Sequence, residues 1–303
     1  VKMDMEVFAK KVCAEVEREL GEGFRTEVRE VRKNNGILLH GLLILSKGQT
    51  VVPTIYLEHF LEAYESGLPF EEVVRKLLAV YRRDTLPDEI KMDFFKSFVN
   101  VRDRICYCLI GRKGNEEMLK GIPHVEFLDL AICFYYAYHD EKMGDGIILI
   151  YDSHMEMWRS NIMELSALAE RNTQRLFPWE CRGLGEILEE MIGSGEDAGI
   201  ENPMEMPCGI PLKVLTNNKR TRGAVCILYP GVLDKMAEEM GSDFYILPSS
   251  IHETIIIPDM GNEDSEALKK MIRDVNSTQV APEEVLSDTL YRYDRAEKRV
   301  VIV

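Results

Sequence analysis

Met5, Phe8, Val12, Val16 and Leu20 recur at steps of three and four residues, which lays their side chains along one stripe of a helix. This predicts an opening amphipathic helix that ends near Gly21 and Gly23. The next segments read as strands: residues 24–32 and 37–46 flank Lys33-Asn34-Asn35-Gly36, and Asn-Gly favours a tight hairpin because both positions tolerate positive φ. A third strand over 51–57 is confined to an edge or a strand end by Pro53, which has no N–H to donate. Two helices are expected over 58–66 and 70–83, and another after Pro87 that carries Met92, Phe95, Phe98 and Val99 inward.

The middle of the chain predicts a strand over 105–110, a short helix capped by Asn115, and a hairpin from 126–138 and 146–151. Ser153 with Glu156, and Asn161 with Glu164, have capping-box spacing, which places short helices near 154–158 and 162–170. Asn172 reads as a left-handed C-cap of the second, and a further helix is expected over 183–191. Beyond residue 210 the pattern predicts strands over 211–216, 224–229, 244–247 and 254–257, helices over 232–240 and 265–275, and a closing hairpin from 290–293 and 299–303. Residues 146–151 and 223–229 echo one another, each ending a hairpin and entering a helix. Strands that arrive as hairpins, without helical crossovers, predict an α+β fold of mainly antiparallel sheets with packed amphipathic helices.

The stretch from Gly193 to Pro207 is acidic and glycine-rich with too little apolar surface to pack, so it is the expected domain boundary. This gives an N-terminal α+β domain over 1–192, a linker over 193–209 and a smaller C-terminal α+β domain over 210–303. The 303-residue chain carries a net charge of −15, with −4 in residues 1–150 and −11 in the remainder. Such a field repels phosphates and anionic lipid and argues against a nucleic-acid partner. The opening residues lack the apolar region of a secretory signal, and no apolar run approaches the 18 or more residues of a spanning helix. Seven cysteines, an odd number without framework spacing, fit reduced thiols in the cytoplasm.

Neither a GxGxxG nor a GxxxxGK[ST] loop occurs, and His252-Glu253 lacks the second histidine of a zincin helix. Cys106 and Cys108 face the same way on their strand, but no second pair completes a four-ligand metal site, so packing accounts for them and no metal or other cofactor is expected. His154 and Trp158 lie one helical turn apart, and Lys219, Arg220 and Arg222 form a basic turn that could clamp a phosphate or carboxylate; a structural role and a solvated turn account for these as well. The densest set of reactive side chains is Leu247-Pro248-Ser249-Ser250-Ile251-His252-Glu253. It holds one residue type for each role of a hydrolytic triad. In an extended run, however, Ser250 and His252 share one face while Glu253 turns to the other. A turn between two strands is the first reading of this segment, and Ser249, Ser250, His252 and Glu253 are the candidate ligand or partner site.

Lys33-Asn34-Asn35-Gly36, the run from Pro53 to Glu58, Pro123-His124, Leu128-Asp129-Leu130-Ala131, the run from Asn172 to Pro178, Leu228-Tyr229-Pro230-Gly231 and the run from Leu247 to Glu253 together resemble domain-of-unknown-function family 5688, a bacterial family common in gut Firmicutes. Gln174 departs from the proline usual at that place in the family. The resemblance implies a bacterial, cytoplasmic α+β protein and supplies no catalytic residue. With no assembled catalytic signature, the chain reads as a cytoplasmic binding or regulatory protein with a protein or small-molecule partner. The alternative is a hydrolase-like enzyme using Ser249 or Ser250 with His252, its acid supplied from elsewhere, Asp259 being the nearest.

Overall fold

The computed structural model describes residues 3–46, 52–84, 92–140, 144–183, 185–186, 212–248, 250–261 and 264–303; Ser249 and the expected linker at 193–209 lie outside them. The chain divides into two compact units, Val1–Lys96 with His139–Asp145, and Ser97–Tyr138 with Gly146–Val303.

In the first unit, α1 (Met5–Leu20) starts where the Asp4 carboxylate accepts the N–H groups of Glu6 and Val7, satisfying donors that have no partner inside the helix. Phe8, Val12 and Val16 are fully buried in one core with Leu42, Ile44 and Leu77, the burial that the three- and four-residue spacing foretold. The sheet runs β1 (Phe24–Arg32), β2 (Leu38–Ser46), β3 (Thr54–Tyr56), antiparallel throughout, with β3 at the edge that Pro53 allows. The β1–β2 turn has positive φ at both Asn35 and Gly36, as Asn-Gly predicts, although it spans three residues, Asn34–Gly36, rather than two. A Cβ on Gly41 would stand 2.4 Å from Thr54 Cγ2, so the β2–β3 approach requires glycine there. Helices α2 (Glu58–Glu65) and α3 (Phe70–Asp84) follow. Glu58 accepts both the backbone N–H of His40 at 2.7 Å and its Nδ1 at 3.0 Å, tying the start of α2 to β2.

In the second unit, α4 (Phe98–Val101) leads into β4 (Ile105–Gly111), whose seven residues are all buried. Val99, expected to point inward, is 71% exposed; the helix is a single turn and places Val101 inside instead. After α5 (Glu116–Leu119) the chain forms β5 (His124–Phe127), β6 (Leu130–Asp140) and β7 (Gly144–Leu149). The order is β4–β6–β5, with β7 also on β6. The reading of 126–138 as one strand missed the reversal at Leu128, which takes φ 56° without being glycine.

Helix α6 (Asp152–Trp158) begins two residues earlier than the Ser153 box implied, and it is the His154 Nδ1 that accepts the Tyr151 N–H, at 3.1 Å. Helix α7 (Ile162–Leu176) is capped by Asn161 as expected, accepting from the Glu164 N–H. It runs past Asn172, which is therefore a buried interior residue and not a C-cap.

A six-stranded antiparallel sheet completes this unit in the order β13 (Arg299–Ile302), β12 (Tyr291–Asp294), β10 (Phe244–Leu247), β11 (Thr254–Pro258), β9 (Lys213–Asn217), β8 (Trp179–Gly183). Sequence reading had no strand at β8. Helix α9 (Ser265–Thr278) packs Leu268 and Ile272 against Tyr245, Leu247 and Ile257, which share one face of the sheet. Helix α8 (Val232–Met240) lies earlier in the chain.

Residues Gly223–Leu228 form a 3-10 helix where a strand was expected. Five of the six are buried, and a Cβ on Gly223 would lie 2.2 Å from Thr216 Oγ1 and 2.5 Å from the His252 carbonyl oxygen. An apolar run enclosed on all sides has no periodicity to separate strand from helix. The echo between residues 146–151 and 223–229 is therefore not structural. The fold is α+β with antiparallel sheets, as the hairpins implied.

Candidate functional site

The segment joining β10 to β11 is held by backbone bonds to a second chain segment. Pro248 accepts from the Ser287 N–H at 3.1 Å, Ser250 bridges Val285, and the Ile251 N–H donates to the Glu284 carbonyl at 2.8 Å. Ser250 is 5% exposed, and its Oγ accepts the His252 backbone N–H at 3.0 Å. The His252 carbonyl in turn accepts the Thr216 hydroxyl at 2.8 Å. These bonds bend the segment into a corner, so the alternation of an extended strand does not apply to it.

The His252 ring is committed on both sides. Its Nδ1 accepts the backbone N–H of Arg222 at 3.2 Å, which leaves the proton on Nε2, 3.3 Å from Glu284 Oε1. The acid facing His252 is therefore Glu284, a residue that sequence reasoning missed because it lies 32 positions downstream in a polar turn. Asp259, the acid nominated earlier, is engaged by Arg292 at 2.8 Å. Glu253 is half-buried beside these groups, and that burial raises its carboxyl above the usual range; Glu284 pushes the same way, while His252 and Arg220 oppose it.

A nucleophilic serine must donate its proton to an imidazole nitrogen within hydrogen-bond reach. Ser250 instead accepts from the backbone, and neither ring nitrogen of His252 is bonded to it. Ser250 and His252 are neighbours without forming a catalytic pair.

The loop before the 3-10 helix is built by Asn217, whose Oδ1 accepts the N–H groups of Lys219 and Thr221 while its Nδ2 donates to the Thr221 carbonyl. Arg220 and Arg222 both adopt left-handed φ, 50° and 53°, at a cost of about 1–2 kcal/mol each. Lys219 and Arg220 are exposed. Arg222 is half-buried, with Nη1 3.7 Å from Cys108 Sγ and its guanidinium carbon 5.9 Å from the Tyr135 ring centroid.

A second polar feature lies at the other end of the four-stranded sheet, a cleft of about 540 Å³ lined by Arg112, Lys113, Lys120, His124, Glu126 and Asp129, among others. His124 Nδ1 lies 3.0 Å from the Ile122 carbonyl, and Arg112 pairs with Glu126 at 2.9 Å. Asp129 accepts three hydroxyls, from Ser287 at 2.7 Å, Thr289 at 2.8 Å and Tyr291 at 2.5 Å. Burial and the Asp129 bond raise the Tyr291 hydroxyl well above its ordinary value, so it stays a donor. Asp129 thereby anchors the β5–β6 turn to β12, a link no spacing in the sequence discloses.

A family model described as a family of unknown function, DUF5688, matches residues 5–295. The chain belongs to that family. No curated protein and no solved structure matches the chain. The segments that carried the family resemblance fall at joints of the fold in this DUF5688 chain. Asn172 and Thr173 bind the outer edge of β4, and the Tyr229 hydroxyl donates to the Phe177 carbonyl at 2.9 Å.

Cys106 and Cys108 do share a face, and both are buried; Cys133 stands opposite Cys108 in the register. Burial pushes the Cys106 thiol up to about 12, and no group of three or more His, Cys, Asp or Glu side chains suited to a metal occurs among the described residues. The His154 and Trp158 rings stand 5.7 Å apart, with burial lowering the imidazole below its ordinary value. No helix among the described residues is long and apolar enough to cross a membrane.

Proposed function

We propose that the chain is a cytoplasmic binding or regulatory protein that performs no covalent chemistry at Ser250, and that the corner of Ser250, His252 and Glu253, with Glu284, is its ligand or partner face. The observation that carries this is that neither His252 ring nitrogen is bonded to the Ser250 hydroxyl, Nδ1 accepting the Arg222 N–H and Nε2 facing Glu284. Glu253 supports it further, because a carboxylate held against desolvation is costly to the fold and such groups gather at functional sites. The partner is a protein or a small molecule, since the net charge of −15 disfavours nucleic acid. The seven cysteines without framework spacing support the cytoplasmic placement.

The test is treatment of the purified chain with a fluorophosphonate probe, followed by intact-mass measurement. No adduct is expected. A stoichiometric adduct that disappears in Ser249→Ala or Ser250→Ala would replace this reading with the hydrolase-like one.

A further inference from the structure

Arg222 is the one member of the basic turn whose charge is carried inward. Its backbone N–H holds His252 Nδ1, and its side chain runs to the face of the four-stranded sheet occupied by Cys106, Cys108, Cys133 and Tyr135. There the guanidinium meets the Tyr135 ring and one weak acceptor, the Cys108 sulfur. Among the described residues its guanidinium pairs with no carboxylate and no carbonyl. A half-buried guanidinium has five donors and ordinarily spends them on carboxylates, carbonyls or water. A guanidinium held over an aromatic face by cation–π attraction keeps an N–H edge that can make two parallel bonds to one oxyanion. The backbone beneath it is left-handed at both Arg220 and Arg222, so the fold bears a cost to hold the side chain in this place. The surrounding charge favours the same ligand: Lys219, Arg220 and Arg222 put three cations within four residues of an otherwise acidic chain.

We propose that Arg222, its guanidinium carbon 5.9 Å from the Tyr135 ring centroid, binds the oxyanion group of a ligand, a carboxylate or a phosphate, through its N–H edge. This rests on the reading of the adjoining corner as a binding face and supplies the chemistry of what binds there. Lys219 and Arg220 draw the anion in, and Arg222 pairs with it.

The experiment titrates the full chain with sodium phosphate, sodium acetate and sodium chloride at matched ionic strength. It follows the Arg222 Nε–Hε resonance of the unaltered protein together with its melting temperature. The expected result is a saturating shift of that resonance, with a rise in melting temperature, for phosphate, acetate or both, and none for chloride. A response to phosphate alone identifies a phosphoryl ligand, and a response to acetate a carboxylate. Arg222→Gln should weaken the apparent affinity by about tenfold or more, as loss of a bidentate charged pair does, and Arg222→Lys by a smaller factor. Should Arg222→Gln fail to fold, the resonance of the unaltered protein still decides. Equal, unsaturating responses to all three salts would overturn the proposal, because they report screening only. That outcome leaves the fluorophosphonate result untouched, just as an adduct at serine would leave the phosphate titration untouched, so the two readings fail separately.

Discussion

The side-chain amide of Asn172 donates to the Ile105 carbonyl at 2.9 Å and to the Arg102 carbonyl at 2.8 Å, from the interior of a helix onto the edge of a strand. One residue on, the Thr173 hydroxyl accepts the Tyr107 N–H at 3.0 Å. β4 is the outer strand of its sheet, and two helical side chains occupy the backbone groups that another strand would otherwise take. An open edge invites pairing with other chains, and here α7 covers it.

Asn172→Leu keeps the side-chain volume and removes both donors, leaving two carbonyls unsatisfied. The expected loss is about 2–6 kcal/mol, at about 1–3 kcal/mol for each orphaned group, with the half-exposed Arg102 carbonyl at the low end. Thr173→Val should cost about 1–3 kcal/mol for the Tyr107 N–H. Urea unfolding of the two variants measures this. Stabilities within about 0.5 kcal/mol of the parent, the range of an inert surface change, would show that β4 does not depend on these bonds.

Glu253 supplies a prediction about pH. Its folded-state carboxyl is raised above 4.5 by burial, so between the unfolded and folded values the folded chain binds more protons than the unfolded one. Stability from this group therefore falls as pH rises from the usual carboxylate value through the folded one, and at neutral pH the buried charge is a cost. Glu253→Gln should raise the melting temperature at pH 7, with the gain shrinking as pH falls through the raised folded value and vanishing below 4.5, where both states carry the proton. A melting temperature lowered at pH 7 would mean that the carboxylate is favourably paired, and would remove it as support for the binding face.

Periodicity carried the opening of the chain: the stripe of Phe8, Val12 and Val16 and the positive φ expected at Asn35 and Gly36 both describe contacts within a few residues. It failed where neighbours far along the chain decide the outcome. Residues Gly223–Leu228 read as a strand because they are apolar, yet the close approach of Gly223 to Thr216 and His252 winds them into a 3-10 helix. The candidate site split in the same manner. Ser250, His252 and Glu253 were visible as a cluster, whereas Glu284 facing the His252 ring and the Arg222 N–H on its Nδ1 come from segments about 30 residues away on either side. Asp129 falls inside the run 126–138 that reads as a single strand. Its three hydroxyl partners lie about 160 residues downstream, beyond the reach of any local pattern.

The boundary proposed at residues 193–209 meets a constraint from the strands on either side of it. β8 precedes that stretch and β9 follows it, and the two are adjacent in the six-stranded sheet, with Trp179 opposite Asn217 and Gly183 opposite Lys213. Further bonds join the same two portions: Tyr229 to the Phe177 carbonyl, and Tyr291 with Ser287 and Thr289 to Asp129. A cut between them would leave a shared sheet and several buried hydrogen bonds intact. Placing a specific protease site after Gly195 and cleaving the folded chain should therefore give two fragments that co-elute in gel filtration without denaturant. They should separate only in urea, because each would have to expose a strand edge and unpaired buried groups to part. Fragments that part under native conditions, each with its own cooperative melt, would show instead that residues 1–192 and 210–303 fold as independent domains.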